Sequence, residues 1–249
     1  PAAIGPELLE IDTLLAEIVP FFESRGIKVM LLSEYGIAPV DTPVHINRIL
    51  REAGLLSIRE ERGLELLDAG ASAAFAVADH QIAHIYTQSE AITEQVKALL
   101  AQVPGIAKVL DKEEQQTQQL HHERAGELVV LAERNCWFTY YFWLDDAVAP
   151  DYARVVDIHK KPGYDPVEMF MSSKPRAAYK LLRKKMGFRY VMDVIPLDAT
   201  LVKGSHGITD IEEQYFPVCI HESHDDTLLS PIAIKQLILD SIFVHEGAG

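Results

Sequence analysis

The sequence predicts an α/β protein in which helices flank a mostly parallel sheet. An amphipathic helical stripe between Glu7 and Arg25 ends at Gly26, and a continuous apolar run follows from Ile27 to Ser33. Strands that are apolar on both faces are typical of buried parallel sheets. The segment from Pro231 to Phe243 is again amphipathic, which predicts a helix that covers one face of the sheet.

A change of pattern near the middle of the chain predicts a small α+β insertion at residues 70–115. Two short strands, a helix from Glu90 to Gln102 and a third strand from Gly105 to Leu110 follow one another there. Residues 1–69 and 116–249 are then assigned to the core.

The aromatic maximum of the chain, Trp137 to Trp143, has two interpretations. It is a strand of the hydrophobic core, or it is a wall against which an organic substrate packs. The first interpretation is favoured, and the second stays open.

Composition narrows the classes of partner. The chain has 249 residues and a formal net charge of −14, which argues against sequence-independent binding of nucleic acid. Cys136 and Cys219 lie in apolar sequence and are interpreted as free thiols in a reducing compartment. There is no run of roughly 18 apolar residues and no basic, apolar leader, so we expect no membrane partner and a cytoplasmic location. The oligomeric state is left open.

The tetrad Gly204-Ser205-His206-Gly207 is the strongest candidate for chemistry. It follows an apolar run from Tyr190 to Val202 and precedes a second one from Phe216 to Ile220. An imidazole between two glycines at a strand end is little hindered, and such sheet edges hold metal ions and phosphates. The alternative is a turn histidine that is hydrogen-bonded to backbone.

A second motif of the same kind runs from Met30 to Gly36 and places Glu34 and Tyr35 after an apolar run. A carboxylate there suits a hard or borderline cation, and a phenol can donate a hydrogen bond to a phosphate oxygen. A purely structural role for this pair is the alternative.

Further polar groups are candidates for the substrate side. Asp79 and His80 end the first strand of the insertion, where they bind metal, line a pocket mouth, or form a pair in which the carboxylate orients the imidazole. The segment from His159 to Asp165 combines cations with a rigid turn, so Lys160 and Lys161 are able to receive an anionic group; a solvent-facing turn is the alternative. The substrate-side candidates are Asp79, His80, His159 and Lys160.

These motifs resemble those of the alkaline phosphatase superfamily, most closely its type I phosphodiesterase/nucleotide pyrophosphatase and phosphonoacetate hydrolase branch. Gly204-Ser-His-Gly, followed by Phe216-Pro-Val, resembles the last metal-binding motif of that branch. Ser33-Glu-Tyr-Gly-Ile37 falls where the branch usually has Ser-Asp-His-Gly-Met, and Gly5-Pro6 resembles the end of an earlier Gly-His-x-x-Gly-Pro segment. The resemblance implies an alkaline-phosphatase-like core of which this chain carries the C-terminal part, with the nucleophile upstream of Pro1.

The resemblance also implies an activity, namely metal-dependent hydrolysis of a phosphodiester or related phosphate ester in a small substrate. Such enzymes use two zinc or related ions about 4 Å apart, with manganese or magnesium as alternatives, and form a covalent intermediate. By resemblance His206 ligates the first metal, and Glu34 and Tyr35 occupy the positions of the second. The phenol of a tyrosine titrates near ~10, so the second site is expected to be weak, altered in metal preference or absent.

Two alternatives to a phosphodiesterase stay open. One is a degenerate member that binds a phosphorylated ligand or a protein partner without turnover. The other is a phosphonate hydrolase or a phosphomutase of the same superfamily.

Overall fold

The computed structural model describes residues 4–208, 210–221 and 228–243 as a mixture of helices and short strands. The predicted mixed class of helix and strand is confirmed. The chain divides into two compact units: one holds residues 4–34, 217–221 and 228–243, and the other holds Tyr35–Phe216.

The elements are as follows. The helices are α1 Gly5–Glu23, α2 Ile46–Glu52, α3 Glu90–Leu100, α4 Lys112–Thr117, α5 Lys174–Lys185 and α6 Pro231–Phe243. The strands are β1 Leu31–Leu32, β2 Ala38–Pro39, β3 Thr42–Val44, β4 Ile58–Glu61, β5 Leu64–Leu67, β6 Ala74–Asp79, β7 Ile82–Thr87, β8 Ile106–Leu110, β9 Leu128–Ala132, β10 Cys136–Phe138, β11 Gly204–Ser205 and β12 Cys219–Ile220. Short 3-10 helices lie at Pro166–Met169, Ala199–Leu201 and Glu213–Tyr215.

The first unit contains α1, α6 and one antiparallel pair of strands, β1 with β12. The predicted buried strand over residues 27–33 is wrong, because only Leu31–Leu32 forms a strand. The partner strand follows Pro217, and proline has no N–H with which to extend the pairing. The predicted covering role of α6 is also not found, since none of its described residues is buried.

Within the described ranges, no helix has the length and apolarity needed to span a bilayer.

The second unit is built around a four-stranded sheet in the order β6-β7-β9-β8, in which every pairing is antiparallel. Along β6 buried residues alternate with partly exposed ones, as expected of a strand with one face in the core. Helix α3 begins at its cap residue Ser89 and contributes the buried side chains of Val96 and Leu100.

The predicted mostly parallel sheet is not present in the described residues. Their parallel ladder is limited to β3 with β10, and their largest sheet is antiparallel. The reason is local: β6 and β7 are joined by the two residues His80 and Gln81, and so short a connection forces neighbouring strands to run in opposite directions.

The aromatic segment that follows β9 lies at the centre of the core. The core interpretation is confirmed, because the side chains of Trp137, Phe138, Tyr140, Phe142 and Trp143 are all fully buried. Strand β10 covers only the start of this segment, so most of it is buried without regular pairing.

The sheet of the predicted insertion extends beyond the predicted boundary. Strands β6, β7 and β8 lie within residues 70–115, but β9 lies between β7 and β8 and comes later in the chain. The division into residues 1–69, 70–115 and 116–249 stays a prediction.

A half-buried histidine stands at the start of α2. The Nδ1 atom of His45 lies 2.7 Å from Thr139 Oγ1, and its ring stacks on that of Tyr141 at 5.8 Å between centres. Burial lowers the pKa of His45 to about 4, and the positive charge of Arg48 acts in the same direction. The folded protein therefore holds this imidazole neutral where an unfolded chain would protonate it.

This histidine predicts a loss of stability in mild acid. Between pH 6.5 and about 4 the unfolded chain binds a proton that the folded protein does not, so the free energy of unfolding falls as the pH is lowered through that window. The contribution is about 3 kcal/mol. Urea denaturation at several pH values should show a shallower fall for His45→Gln than for the wild type. The exposed control His121→Gln should follow the wild type, and equal slopes for all three proteins would contradict this assignment.

Candidate functional site

The glycine-flanked histidine leaves the end of a very short strand. β11 pairs antiparallel with β2, so that Gly204 lies opposite Pro39 and Ser205 opposite Ala38. A Cβ atom on Gly204 would lie 2.7 Å from Ile37 Cγ2, so glycine permits this close approach. His206 follows directly, at a strand end as the sequence predicts.

The apolar run before this motif is not the strand that its composition suggests. Residues 190–202 contain the 3-10 helix Ala199–Leu201 and otherwise form no regular element. Val194, Ile195 and Val202 are nevertheless buried, so the run contributes to the core without pairing.

Tyr35 stacks on His206. The ring centres are 3.6 Å apart and the planes differ by 9°. The next residue, Gly36, packs against the backbone of Tyr215, and a Cβ there would lie 1.5 Å from the Tyr215 carbonyl oxygen. Only glycine therefore permits the backbone position that places Tyr35 against His206. The structure therefore brings together the two motifs that the sequence singled out, through Tyr35 and His206.

A second histidine, His80, lies in the turn between β6 and β7, within the predicted insertion. The ring of His80 is centred 4.0 Å from that of His206, with 33° between the planes. Its Nδ1 atom lies 2.6 Å from Asp79 Oδ1, and the hydrogen bond from His80 lowers the pKa of Asp79 below its ordinary value. Asp79 is thus a carboxylate at neutral pH, and it fixes the orientation of the imidazole.

Backbone hydrogen bonds hold the tip of the β6–β7 hairpin against the His206 loop. Gln81 N–H donates to the carbonyl oxygen of His206 at 2.9 Å, and Phe138 N–H donates to that of His80 at 2.7 Å. Gly207, with φ of +123°, packs so closely that a Cβ there would lie 3.3 Å from Gln81 N. The two histidines are therefore joined through main chain as well as through their rings.

Tyr164, which was not among the candidates predicted from the sequence, completes the row of rings. Tyr164 stacks on His80 with 4.9 Å between centres and 17° between planes, and its N–H donates to Ala78 O at 2.8 Å. The preceding Gly163 has φ of +120°, and a Cβ there would lie 2.0 Å from Ala78 O. The adjacent glycine was the available signal, since glycine before an aromatic residue in a turn often marks a close approach. We call the four side chains the ring stack, and they are Tyr35, His206, His80 and Tyr164.

The loop that carries Tyr164 is anchored by a buried charge cluster. The side chain of Lys161 is fully buried, with its Nζ atom 3.0 Å from Asp165 Oδ2 and 2.5 Å from Glu168 Oε1. Burial raises the pKa of Asp165, although the adjacent ammonium opposes that rise. Lys161 is therefore committed to internal ion pairs and does not receive a substrate anion, which corrects the interpretation of this lysine from the sequence.

The remaining candidates are His159, Lys160 and Glu34. His159 and Lys160 are exposed, and Lys160 pairs with Asp157 at 3.6 Å. Glu34 is exposed and belongs to the first unit, whereas the ring stack belongs to the second. The roles predicted for these three residues stay predictions.

The donor chemistry of the ring stack suits a borderline cation such as zinc. Imidazole nitrogen is a common zinc ligand, and a carboxylate on the far nitrogen of the ring is the usual support for it. The phenol of Tyr35 is less suitable, because its oxygen and the imidazole nitrogens lie in nearly parallel planes, and in-plane lone pairs in such planes do not converge. Among the described residues, no three His, Cys, Asp or Glu side chains form a group able to hold a metal ion. The described residues therefore form no complete ligand set for a metal ion.

Comparison with known proteins decides the family. A family model described as type I phosphodiesterase/nucleotide pyrophosphatase matches residues 2–165. The chain belongs to this family, within the alkaline phosphatase superfamily. The matched range includes Tyr35, Asp79, His80 and Tyr164, while the motif around His206 lies beyond it. No curated protein matches the chain.

Two similar solved structures are phosphonoacetate hydrolase from Sinorhizobium meliloti 1021. The complex with phosphonoformate is 17% identical, covers 47% of this chain and 29% of that one, and gives a TM-score of 0.34. The complex with phosphonoacetate is 15% identical, covers 57% of this chain and 34% of that one, and gives a TM-score of 0.35. The chain thus spans about a third of the length of these structures.

Replacing Gly36 should disturb the placement of Tyr35. In Gly36→Ala the new methyl group collides with the Tyr215 carbonyl, so we expect a loss of about 1–3 kcal/mol or more in the free energy of unfolding. The matched control is Gly70→Ala, because the nearest atom to a Cβ there is Asp68 Oδ1 at 3.7 Å. Urea denaturation of both variants measures the difference, and equal stabilities would contradict the close contact between Gly36 and Tyr215.

Neighbouring lysines allow a test of the buried cluster. Lys161→Ala leaves two carboxylates without their buried cation, and we expect a loss of about 3–5 kcal/mol. Lys160→Ala removes a side chain that is 60% exposed and should change stability by less than about 0.5 kcal/mol. Thermal and urea unfolding provide the measurement; similar losses for the two variants would show that Lys161 is not buried in solution.

Proposed function

We propose that this chain forms part of a metal-dependent hydrolase that cleaves phosphodiester or related phosphate-ester bonds in a small substrate. Membership of the type I phosphodiesterase/nucleotide pyrophosphatase family supports the reaction class. The observation that carries the proposal is the ring stack, in which His206 lies 4.0 Å from a second imidazole that a carboxylate orients.

In this proposal His206 holds a divalent cation, with zinc as the first choice and manganese or magnesium as alternatives. When bound, the cation polarises the phosphoryl oxygens and stabilises the charge that develops on them. Glu34 is proposed as a carboxylate ligand on the basis of the sequence motif alone. Asp79 and His80 line the same site, and His159 and Lys160 are proposed to attract the anionic part of the substrate.

Rigid placement is the contribution that the chain itself makes. Gly207 lets the His206 loop approach the hairpin tip closely, and Gly204 permits the contact with Ile37. The hydrogen bond from Gln81 N–H fixes the carbonyl oxygen of His206. Tyr35 covers one face of the imidazole. A preformed site of this kind loses little entropy when it binds a cation or a phosphate.

A second candidate is a family member that binds a phosphorylated ligand without hydrolysing it. The stacked geometry of Tyr35 favours this alternative, because a phenol that packs face to face on His206 is poorly placed to ligate the same ion. Such a protein would bind phosphate esters and show no turnover with any divalent metal.

The proposal is tested by hydrolysis assays on the full-length protein. We expect turnover of bis-p-nitrophenyl phosphate that is lost on treatment with a chelator and restored by zinc or manganese. His206→Ala should lower kcat/KM by about 100-fold or more, because the cation loses a ligand. The control His121→Ala changes an exposed histidine outside the ring stack and should leave kcat/KM unchanged.

Parallel assays with p-nitrophenyl phosphate and phosphonoacetate distinguish diester, monoester and phosphonate hydrolysis. Full activity of the His206→Ala protein would reject the proposed role of this residue. Tight binding of a phosphate ester without turnover would favour the binding protein.

A further inference from the structure

Helix α5 is attached to the second unit along one narrow edge. Its cap residue is Ser173, and Ala177 is its one buried residue. Near that edge Arg176 and Lys180 form ion pairs with Asp193, with 2.6 Å between Lys180 Nζ and Asp193 Oδ1. The described residues therefore leave most of the circumference of this helix uncovered.

The uncovered side of α5 is apolar. Tyr179, Leu182 and Met186 follow at spacings of four and three residues, which places them on one face of the helix. Beyond the helix the chain turns back, and Phe188 N–H donates to the carbonyl oxygen of Arg183 at 3.1 Å. The Cζ atom of Arg183 lies 6.0 Å from the ring centre of Tyr179 and 5.9 Å from that of Phe188. These four apolar side chains are each more than half exposed.

Positive charge accompanies this apolar face. Residues 174–192 contain no aspartate or glutamate, but they hold seven of the 23 lysines and arginines of the chain. The seven are Lys174, Arg176, Lys180, Arg183, Lys184, Lys185 and Arg189. Asp193 pairs with two of them, and the others form no ion pair with a carboxylate of the described residues. We call these seven cations and the four apolar side chains the α5 surface.

A cavity of about 440 Å³ lies beside the helix, and its lining is mostly cationic. The lining residues are Lys180, Arg183, Arg189, Tyr190, Val191 and Asp193. A guanidinium N–H of Arg183 donates to the carbonyl oxygen of Arg189 at 3.3 Å, which holds the loop after the helix in place. Three cations against one carboxylate suit a phosphate group, which arginine and lysine bind through charge-assisted hydrogen bonds.

We propose that the α5 surface binds the anionic face of a lipid bilayer, with the phosphate of a lipid headgroup at this cavity. A basic helix with an exposed apolar row lies in the plane of the bilayer surface, with its apolar side chains among the acyl chains and its cations at the headgroups. The sequence predicts no membrane partner because it lacks a spanning run, but a helix that lies on the surface needs none. This proposal is independent of the proposed hydrolysis.

A bilayer matches both the charge and the apolar character of this surface. A nucleic acid would neutralise the cations, but its phosphate backbone would leave Leu182, Met186 and Phe188 in water. The formal net charge of −14 resides outside residues 174–192, and it orients the molecule with α5 towards an anionic surface. At physiological salt, charges more than about 8 Å away are largely screened, so the acidic remainder does not cancel the attraction.

Cosedimentation of the full-length protein with lipid vesicles tests the proposal. We expect binding to vesicles of equal parts phosphatidylserine and phosphatidylcholine, little binding to phosphatidylcholine alone, and release by high salt. Each basic side chain near an anionic bilayer strengthens binding by about 5-fold, so the combined variant Lys174→Gln, Lys185→Gln and Arg189→Gln should bind about 100-fold more weakly. The pair Leu182→Ser and Met186→Ser should weaken binding by about 10-fold.

The matched control removes three exposed cations elsewhere, with Arg62→Gln, Lys108→Gln and Arg124→Gln combined. It changes the net charge by the same amount and should bind vesicles as the wild type does. Equal weakening by the two triple variants would overturn the proposal, because attraction would then depend on net charge rather than on the α5 surface.

A tryptophan at position 188 gives a positive signature. The native Trp137 and Trp143 are fully buried, so Phe188→Trp adds the side chain whose emission responds to the surroundings of α5. We expect its emission to move to shorter wavelength when phosphatidylserine vesicles are added. No change, or an emission that is already at short wavelength before vesicles are added, would overturn the proposal; the second result would show that another part of the full-length protein covers this surface.

Two further measurements distinguish other occupants. Inorganic phosphate and heparin probe the cavity as a plain anion site, and sedimentation velocity probes association between copies of the chain. Vesicle binding that the Leu182→Ser and Met186→Ser pair leaves unchanged, together with competition by either anion, would replace the bilayer by a soluble anion. A dimer that the same pair dissociates, without vesicle binding by the wild type, would replace it by a second copy.

Discussion

The hydrogen bond from Gln81 N–H to the carbonyl oxygen of His206 is the constraint on which the candidate site depends. It joins the turn between β6 and β7 to the glycine-flanked loop after β11, two segments that are far apart in the chain. Side-chain stacking alone would be a weak link, worth about 0.5–1.5 kcal/mol for each aromatic pair. The main-chain bond sets the distance at which the imidazoles meet, and the rings then pack within it.

Three close approaches of backbone make this arrangement possible. Gly36, Gly163 and Gly207 each lie where a larger residue would collide with, or crowd, the main chain of another segment. The ion pairs of Lys161 with Asp165 and Glu168 hold the loop of Tyr164 in a single arrangement, because separating these buried charges would cost several kcal/mol. The glycines allow the segments to approach closely, and the buried ion pairs of Lys161 stabilise the loop that carries Tyr164.

Much of the local structure could be predicted from the sequence, because it depends on short-range patterns. Helices α1 and α3 follow apolar residues at helical spacing, and the β6–β7 hairpin follows two short apolar runs with only two residues between them. Strand 27–33 could not be predicted in the same way. An apolar run becomes a strand only to the extent that a partner pairs with it, and here the partner contributes two residues. The mostly parallel sheet is predicted from that run, but in the described residues the run pairs only with β12, and the pairing is antiparallel.

The same distinction between local patterns and distant contacts applies to the candidate site. Local patterns indicate His206, Tyr35, Asp79 and His80 one at a time, because each lies at the end of a predicted strand or apolar run. Nothing local indicates that these four side chains meet. Their meeting requires the pairing of β2 with β11 and the docking of the hairpin tip, both of which join distant segments. The burial of Lys161 could not be predicted, because a lysine in a proline–glycine turn has the composition of a solvent-exposed loop. Its burial depends on ion pairs with Asp165 and Glu168.

The contact between Gly163 and Ala78 has a consequence for how this part of the molecule can change over evolution. A strand end that touches bare main chain tolerates no side chain at the point of contact, so the hairpin, the tyrosine loop and the histidine loop constrain one another's sequences. A hairpin transplanted from a relative would fit only if both receiving loops kept their glycines in register. These three segments are therefore expected to be inherited and exchanged together, as one block.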